Sequence, residues 1–246
     1  MPSTIGTLII GDEILSGKRA DKHFSKVIEI LAARGLELAY AHYIGDDPAR
    51  ITATLKQSFA TGDIVFSFGG IGATPDDFTR QCAGAALGVE LIAHPQAIAE
   101  MQAKPDYELT ANRRRMAEFP AGATIIPNPF NRIAAFSVGT HHFLPGFPEM
   151  AWPMMAWVLD TKYPSLFHAR VVACESILIF EAGESNLIDM MNRLVARYPG
   201  AKLSSLPQFV PGGHRLELSF SGDAAEVHAA MNEAKTELTC LNYFFQ

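Results

Sequence analysis

Within the first 90 residues the hydrophobic period switches repeatedly between runs that suit strands and spacings that suit helices. "IGTLII" (5–10) reads as a buried strand. From Asp21 to Gly35, Phe24, Val27, Ile28 and Leu31 recur at helical spacing, and Gly35 supplies a stop. "LELAYAHYI" (36–44) alternates with period two. Asp46 or Asp47 then caps a helix that has Pro48 in its first turn and Ile51, Leu55 and Phe59 along one face. "DIVFSF" (63–68) is a continuous apolar strand, and a further helix is expected to open at Thr74. Alternation of this kind predicts an α/β fold whose mostly parallel sheet carries helices on both faces.

Farther on the pattern changes. Residues 95–118 read as helical but polar, and "RIAAFSVGTHHFLPG" (132–146) as two strands turning near Gly139, before a helix around "EMAWPMMAWVL". After a pause at Pro164 come strand 170–180, helix 185–197, strands 202–206 and 214–220, and helix 223–239. This βαββα order predicts a small α+β domain, so the chain divides into residues 1–165 and 166–246. Apolar residues make up 48% of the 246, enough for sizeable cores.

The net charge of −6, without a dense Lys/Arg block, argues against nucleic-acid binding but leaves room for a small anionic ligand. Cys82, Cys174 and Cys240 form no CxxC pair, which fits a reducing cytoplasm with each cysteine as a small buried apolar residue. The N-terminal run lacks a basic region and a long apolar stretch, so neither a signal peptide nor a membrane span is expected.

"SFGGIGATPDDFTR" (67–80) sets three glycines, Gly69, Gly70 and Gly72, beside two carboxylates, Asp76 and Asp77. One reading needs no ligand: Thr74, Pro75 and Asp77 form a capping box, and Phe78, Cys82 and Ala86 go to the core. That leaves Asp76 and the glycines without a role. The other starts from location, because a glycine-rich turn between a parallel strand and a helix is where open α/β sheets hold phosphates. Carboxylates beside a phosphate repel it unless a hard divalent cation bridges them, as Mg²⁺ does with one or two carboxylates and phosphate oxygens. Two more acidic turns follow the first two strands: Asp12 and Glu13 in "IIGDEILSG", and Asp46 and Asp47 in "IGDDPAR". In a parallel sheet these turns share one edge and could meet in one cleft. A helix cap accounts equally for each, and better for Asp47 before Pro48.

"GDEILSG" with Asp21 after it, "IGDD", "FGGIGATPDDFT" and "FLPGFPEM" occur in this order, and together they resemble the molybdopterin-binding-like domain of the competence/damage-inducible protein A family. "AGESNLIDMMNRLVARYP" is similar to the region that follows that domain, so the resemblance runs nearly end to end. It implies a three-layer α/β/α fold with the ligand site at the carboxyl edge of the sheet. A further amidase module, frequent in the family, has no resembling stretch up to Gln246.

The resemblance also implies two activities: binding a pterin phosphate such as molybdopterin, or metal-dependent cleavage of a nucleotide pyrophosphate such as ADP-ribose or FAD. Carried over by position, Gly69, Gly70, Gly72, Thr74, Thr79 and Gly146 hold the phosphate-bearing ligand, and Pro145 and Pro148 shape a wall. Asp12 and Asp76 hold Mg²⁺, Mn²⁺ or Co²⁺, with Asp76, Asp77 and Asp46 as the catalytic carboxylates. A homo-oligomer is implied as well. The chain departs from the family at Gly72–Ala73, at "NPFNRIAAF" (128–136), which lacks the usual glycines and carries Arg132, and at "PGFPEM", one residue short. Lost glycines narrow the room for a ligand. The chain is therefore also open to a third reading, as a lapsed scaffold that keeps the fold for assembly.

Other residues have plainer readings. Arg113, Arg114 and Arg115 can offer one guanidinium to a phosphate, with at least two on a solvated face. His141 and His142 point to opposite sides of a strand and cannot share a metal. His23 is a candidate contact at the site's edge. Trp152, Met154, Met155 and Trp157 belong to a core or a subunit contact. No Ser/His/Asp or Cys/His arrangement supports covalent catalysis.

Overall fold

The structure, a computed structural model, describes residues 4–104, 108–169, 172–210 and 213–246. The chain divides into two compact units, Met1–Phe167 and His168–Gln246.

The first unit begins with β1 (Ile5–Ile10), a short α1 (Asp12–Leu15), α2 (His23–Ala32) and β2 (Tyr40–Ile44). Next come α3 (Pro48–Phe59), β3 (Ile64–Phe68), α4 (Thr79–Leu87), β4 (Leu91–Ala93), α5 (Pro95–Gln102) and α6 (Ala111–Arg114). Strands β5 (Glu118–Pro120), β6 (Thr124–Ile126), β7 (Ala135–Val138) and β8 (His141–Leu144) precede the long α7 (Pro148–Lys162). Six strands form one sheet in the order β2-β1-β3-β8-β7-β6. The first four run parallel, in registers such as Thr7↔Ala41, Thr7↔Phe66 and Phe66↔His142, and β7 and β6 add antiparallel pairs.

All side chains of β1 and β3 are buried, as two-sided cover requires. On one face Leu8, Val65 and Phe143 pack with Ile51 and Leu55 of α3 and Cys82 of α4. On the other, Ile5, Phe66 and Phe68 pack with Val27 and Leu31 of α2 and Met154, Met155 and Val158 of α7. The result is the three-layer α/β/α sandwich that the alternation predicts.

The second unit is β9 (Val172–Phe180), α8 (Glu184–Arg197), β10 (Ala201–Val210), β11 (Gly213–Asp223) and α9 (Ala224–Cys240). Its antiparallel sheet, ordered β10-β11-β9, builds its own core from Ile177, Ile179, Leu216, Leu218 and Phe220 against Leu187, Met190, Val227 and Met231. The C-terminal residues close the outer edge of β9: Leu178 N–H donates to Gln246 O (2.8 Å) and Phe180 N–H to Phe244 O (2.9 Å). The expected strand start at 170–171 lies outside the described residues, as does the part of the 95–118 reading that falls on 105–107.

Several expectations need correction. Helix α2 buries His23, Val27, Ile30 and Leu31, whereas Phe24 and Ile28 are 40% and 44% exposed. The helix is turned by one position because a histidine, read as polar, belongs to the buried face. Strand β2 begins at Tyr40, not at 36. Cys82 is buried, but Cys174 and Cys240 are exposed. No helix opens at Thr74: residues 69–78 form an irregular turn, and α4 starts at Thr79. Among the described residues no helix is long and apolar enough to cross a membrane.

Candidate functional site

At the carboxyl ends of β1, β2, β3 and β8 lies a cleft of about 460 Å³. Asp46, Gly69, Gly70, Gly72, Thr74, Asp76, Asp77, Pro145 and Gly146 all border it. The three acidic turns therefore do converge on one sheet edge, as parallel strands dictate.

The turn after β3 is held from behind. Thr79 Oγ1 donates to Gly69 O (3.0 Å), Thr79 N–H donates to Gly70 O (2.9 Å), and Arg80 Nη2 donates to Gly72 O (2.6 Å). The Gly69 and Gly70 carbonyls thus point at the first residue of α4, and that of Gly72 at the guanidinium of Arg80. Among the described residues there is no cis peptide bond, and in a planar trans peptide the N–H lies opposite the C=O. The amides of Gly70 and Ile71 consequently face away from α4, and that of Ala73 faces away from the Arg80 guanidinium. Among the described residues these three amides and that of Gly72 donate to no protein acceptor. A row of outward, unspent N–H groups in a concave turn is an anion-binding arrangement.

Gly69 and Gly70 also serve the turn itself. At Gly69, φ is +100° and an added Cβ would lie 2.2 Å from Ile10 O; at Gly70, φ is +66° and it would lie 2.3 Å from Thr79 Oγ1. Backbone from β1 and side chain from α4 come too close for anything larger.

Thr79 and Arg80 therefore act as positioning residues. Thr79 is fully buried, its hydroxyl is taken by Gly69 O, and it does not border the cleft. Sequence reasoning missed Arg80 altogether. Its buried guanidinium also donates to Glu118 O (3.2 Å) and Arg115 O, tying the glycine turn to the segment before β5. An arginine on a helix made mostly of small residues gave no periodic signal of this role. Of the arginine run, Arg113 donates to Glu108 O, and none of the three borders the cleft.

The expected capping box takes another form. Thr74 N–H donates to Asp77 Oδ2 (2.8 Å) and Asp77 N–H to Thr74 O (3.0 Å), closing a tight turn five residues before the helix. Thr74 Oγ1 lies 2.5 Å from both Asp76 Oδ1 and Asp77 Oδ2. Asp76 is fully exposed, and the Thr74 hydroxyl draws its carboxyl below the usual range.

The two remaining acidic turns clasp each other. Asp12 N–H donates to Asp46 Oδ2 (2.8 Å), and Asp46 N–H donates to Asp12 Oδ1 (3.1 Å). Burial pushes the Asp46 carboxyl up; the Asp12 amide opposes this, and the charges of Asp12, Glu13 and Asp76 add to the rise. Asp12 is turned to the Gly45–Asp46 backbone and does not border the cleft, whereas Asp46 and Asp76 do. Asp47 caps α3, accepting from Arg50 N–H (2.7 Å).

Among the described residues no group of three or more His, Cys, Asp or Glu is placed to hold an ion by itself. That donor set does not suit a closed protein cage such as a structural zinc site. It does suit an Mg²⁺-like ion, which takes one or two carboxylates and completes its shell with phosphate oxygens and water. Among the described residues Asp46 Oδ1 accepts no hydrogen bond, while the Asp76 carboxylate accepts from Thr74 and from its own backbone N–H.

One cation joins this acidic wall. Arg19 is the only basic residue bordering the cleft among the described residues, and its guanidinium makes no hydrogen bond or ion pair there. Its place in "GDEILSGKRAD" carried no signal beyond its charge.

The altered 128–136 stretch is held without its glycines. Asn128 Nδ2 donates to Ile133 O (3.0 Å), while its Oδ1 accepts from Phe130 N–H (3.0 Å). Arg132 adopts φ 60° and reaches out to Glu100 (3.2 Å), away from the cleft. His141 and His142 are structural: His141 meets Ser58 (2.7 Å), and His142 bridges Ser137 and Tyr163 (2.8 Å each).

Residues 6–167 match the family described as "Probable molybdopterin binding domain". The chain belongs to that family. It is 29% identical over 197 residues to a competence-damage inducible protein of Lacticaseibacillus paracasei, covering 77% of this chain and 48% of that one. Its likeness to the Streptococcus pneumoniae protein of the same name is 29% over 200 residues, covering 76% and 46%. The chain thus spans about half the length of the curated relatives it matches. The crystal structure of a CinA protein of unknown function from Thermoplasma acidophilum superposes with a TM-score of 0.58 at 25% identity, covering 64% of this chain and 98% of that one. The resemblance to the competence/damage-inducible family and the three-layer fold it implied both hold.

Proposed function

We propose that the cleft binds a small molecule through its phosphate, a pterin phosphate or a nucleotide, with a divalent ion shared between ligand and protein. The observation that carries this reading is the outward row of amides at Gly70, Ile71 and Ala73. These groups stabilise an anion without changing charge, and Arg19 supplies a guanidinium suited to bidentate contact with phosphate oxygens. Asp46, Asp76, Asp77 and Glu13 would repel such a ligand by themselves. Asp46 and Asp76 would hold the ion, converting that repulsion into a bridge. The family's own description favours a pterin.

A second reading extends the first to hydrolysis of a nucleotide pyrophosphate, and the crowding of negative charge around Asp46 favours it. A bound ion would polarise a phosphoryl oxygen and lower the pKa of its water. In that case Asp77, fixed by Thr74, or the partly buried Asp46 orients the attacking water, and the glycine amides hold the departing phosphate.

Calorimetric titration with pyrophosphate, with and without Mg²⁺, tests the binding reading. Binding is expected to require Mg²⁺ and to weaken at least about tenfold in Asp76→Asn, the equivalent of ~1.4 kcal/mol. Absence of binding in Mg²⁺, or binding indifferent to both Asp76→Asn and Asp46→Asn, would overturn it. Phosphate release from ADP-ribose and FAD with Mg²⁺, Mn²⁺ or Co²⁺ tests the hydrolytic extension. No release with any ion would remove the extension and leave the binding reading standing.

A further inference from the structure

The sheet of the second unit has an outer edge on each side, and the C-terminal residues close the one along β9, where they accept from Leu178 and Phe180 N–H. Those bonds set the direction of the peptide groups across the sheet. In an antiparallel ladder successive residues point alternately to one neighbour and the other. Leu178 points outward, so Glu217, its partner in register, points to β10 and pairs with Leu206. The even-numbered residues of β10 are therefore spent on β11. Leu203, Ser205, Pro207 and Phe209 turn their backbone groups to the free side. Among the described residues no acceptor takes the N–H of Leu203, Ser205 or Phe209.

A long open edge is a template for another strand, and proteins ordinarily blunt one with charges, proline or a bulge. Strand β10 runs for 10 residues, pairs with β11 without a bulge from Ala201 to Val210, and carries a single charge, Lys202. Pro207 is its other guard. Its missing N–H lies on the free side, where it costs the ladder with β11 nothing. Against these guards stand two apolar side chains, Leu206 at 55% exposure and Phe209 at 91%, with Leu203 half-buried at the margin of the core.

We propose that β10 pairs with β10 of a second copy of the chain, antiparallel about a two-fold axis at Leu206, so that two three-stranded sheets become one. The proposal is independent of the phosphate-binding reading above. In this register the strand is complementary to its own reverse, as an isologous contact requires. Leu206 meets its own counterpart, Leu203 meets Phe209 of the other copy, Ser204 meets Gln208, and Lys202 meets Val210. Apolar residues thus cover one another and no like charges face. Leu203 and Phe209 exchange both ladder bonds, while Ser205 N–H donates to the Pro207 carbonyl and only the reverse bond is lost. Leu206 falls in a non-hydrogen-bonded pair, where side chains approach most closely.

Sedimentation of the full chain over a dilution series tests the proposal, with disulfide trapping as a second measurement. The chain should sediment as a dimer. Leu206→Glu, which sets two carboxylates on the axis, should raise the dissociation constant at least about tenfold. In a Cys174→Ser, Cys240→Ser background, Leu206→Cys should cross-link on mild oxidation, because a non-hydrogen-bonded pair brings its Cα atoms to ~4.5 Å, within disulfide range. Ser204→Cys, which faces Gln208, should not cross-link. A monomer throughout the series overturns the proposal and leaves the edge to a strand of another protein. A dimer that withstands Leu206→Glu and is not trapped by Leu206→Cys uses another face and overturns it equally. Leu206 is exposed, so its variants should melt as the unaltered chain does at concentrations where both are monomers. The state of the unaltered chain and the trapping result stand even where Leu206→Glu fails to fold.

Discussion

Thr79 and Arg80 decide the direction of three peptide groups while remaining hidden beneath them. Thr79→Val keeps the side-chain shape and strands a buried carbonyl at Gly69. It should cost about 1–3 kcal/mol of stability by urea unfolding and weaken pyrophosphate binding as the turn loosens. Unchanged binding would show that the hydroxyl does not set the turn. A second residue-scale expectation concerns pH. Burial lowers His141 to about 4, against a smaller upward pull from Asp63, and lowers His142 to about 3, with Lys162 and His141 adding to the effect. Below the unfolded value near 6.5 the unfolded chain takes up protons that the folded one refuses, so stability is fully present above that pH and is lost as pH falls. Each histidine contributes a slope of about 1.4 kcal/mol per pH unit between ~6.5 and its folded value. His142→Gln should lower the proton uptake on unfolding at pH 5.5 by about one, measured by denaturation at several pH values. An unaltered pH slope would contradict the assignment. At this scale the sequence showed the glycines and carboxylates, because such residue types are rare together. It concealed Arg80, whose partners are carbonyls and so have no side-chain signature. It also gave no sign of the Asp12 clasp on Asp46, which depends on the distance between two strand ends.

The strands and helices of the first 90 residues were legible because burial on both faces forces apolar runs on β1 and β3 and a helical stripe on α3. The start of α4 was not. "TPDD" satisfies the pattern of a helix cap, yet Thr79 N–H is claimed by Gly70 O, and the helix cannot extend back through the turn that folds over it. Gly69→Ala tests this element. Its Cβ would meet the Ile10 carbonyl at 2.2 Å, a backbone atom that cannot move aside, at a φ of +100°. A loss above ~3 kcal/mol or failure to fold is expected; a stable, binding-competent variant would contradict the close approach of β1 and the turn. The 128–133 loop shows the reverse case. Arg132→Gly should relieve a left-handed residue and change stability by no more than about 1 kcal/mol, because the bonds of Asn128 survive it. Asn128→Ala should cost about 1–3 kcal/mol.

Two cores in one chain set the largest scale. The βαββα order was legible from period alone, whereas the closing of β9 by the last residues was not, since three residues carry no period. Phe220 is fully buried in the second core. Phe220→Ala should cost that unit about 3–5 kcal/mol and leave pyrophosphate binding intact, a separation visible by following both in one thermal series. Everything proposed for the first unit depends on amides that its own fold leaves unspent. The most direct test is the ¹H–¹⁵N spectrum of the labelled chain titrated with pyrophosphate and Mg²⁺. The amides of Gly70, Ile71 and Ala73 are expected to show the largest shifts, downfield as they take up hydrogen bonds. Saturable binding that leaves those three signals in place would contradict the account.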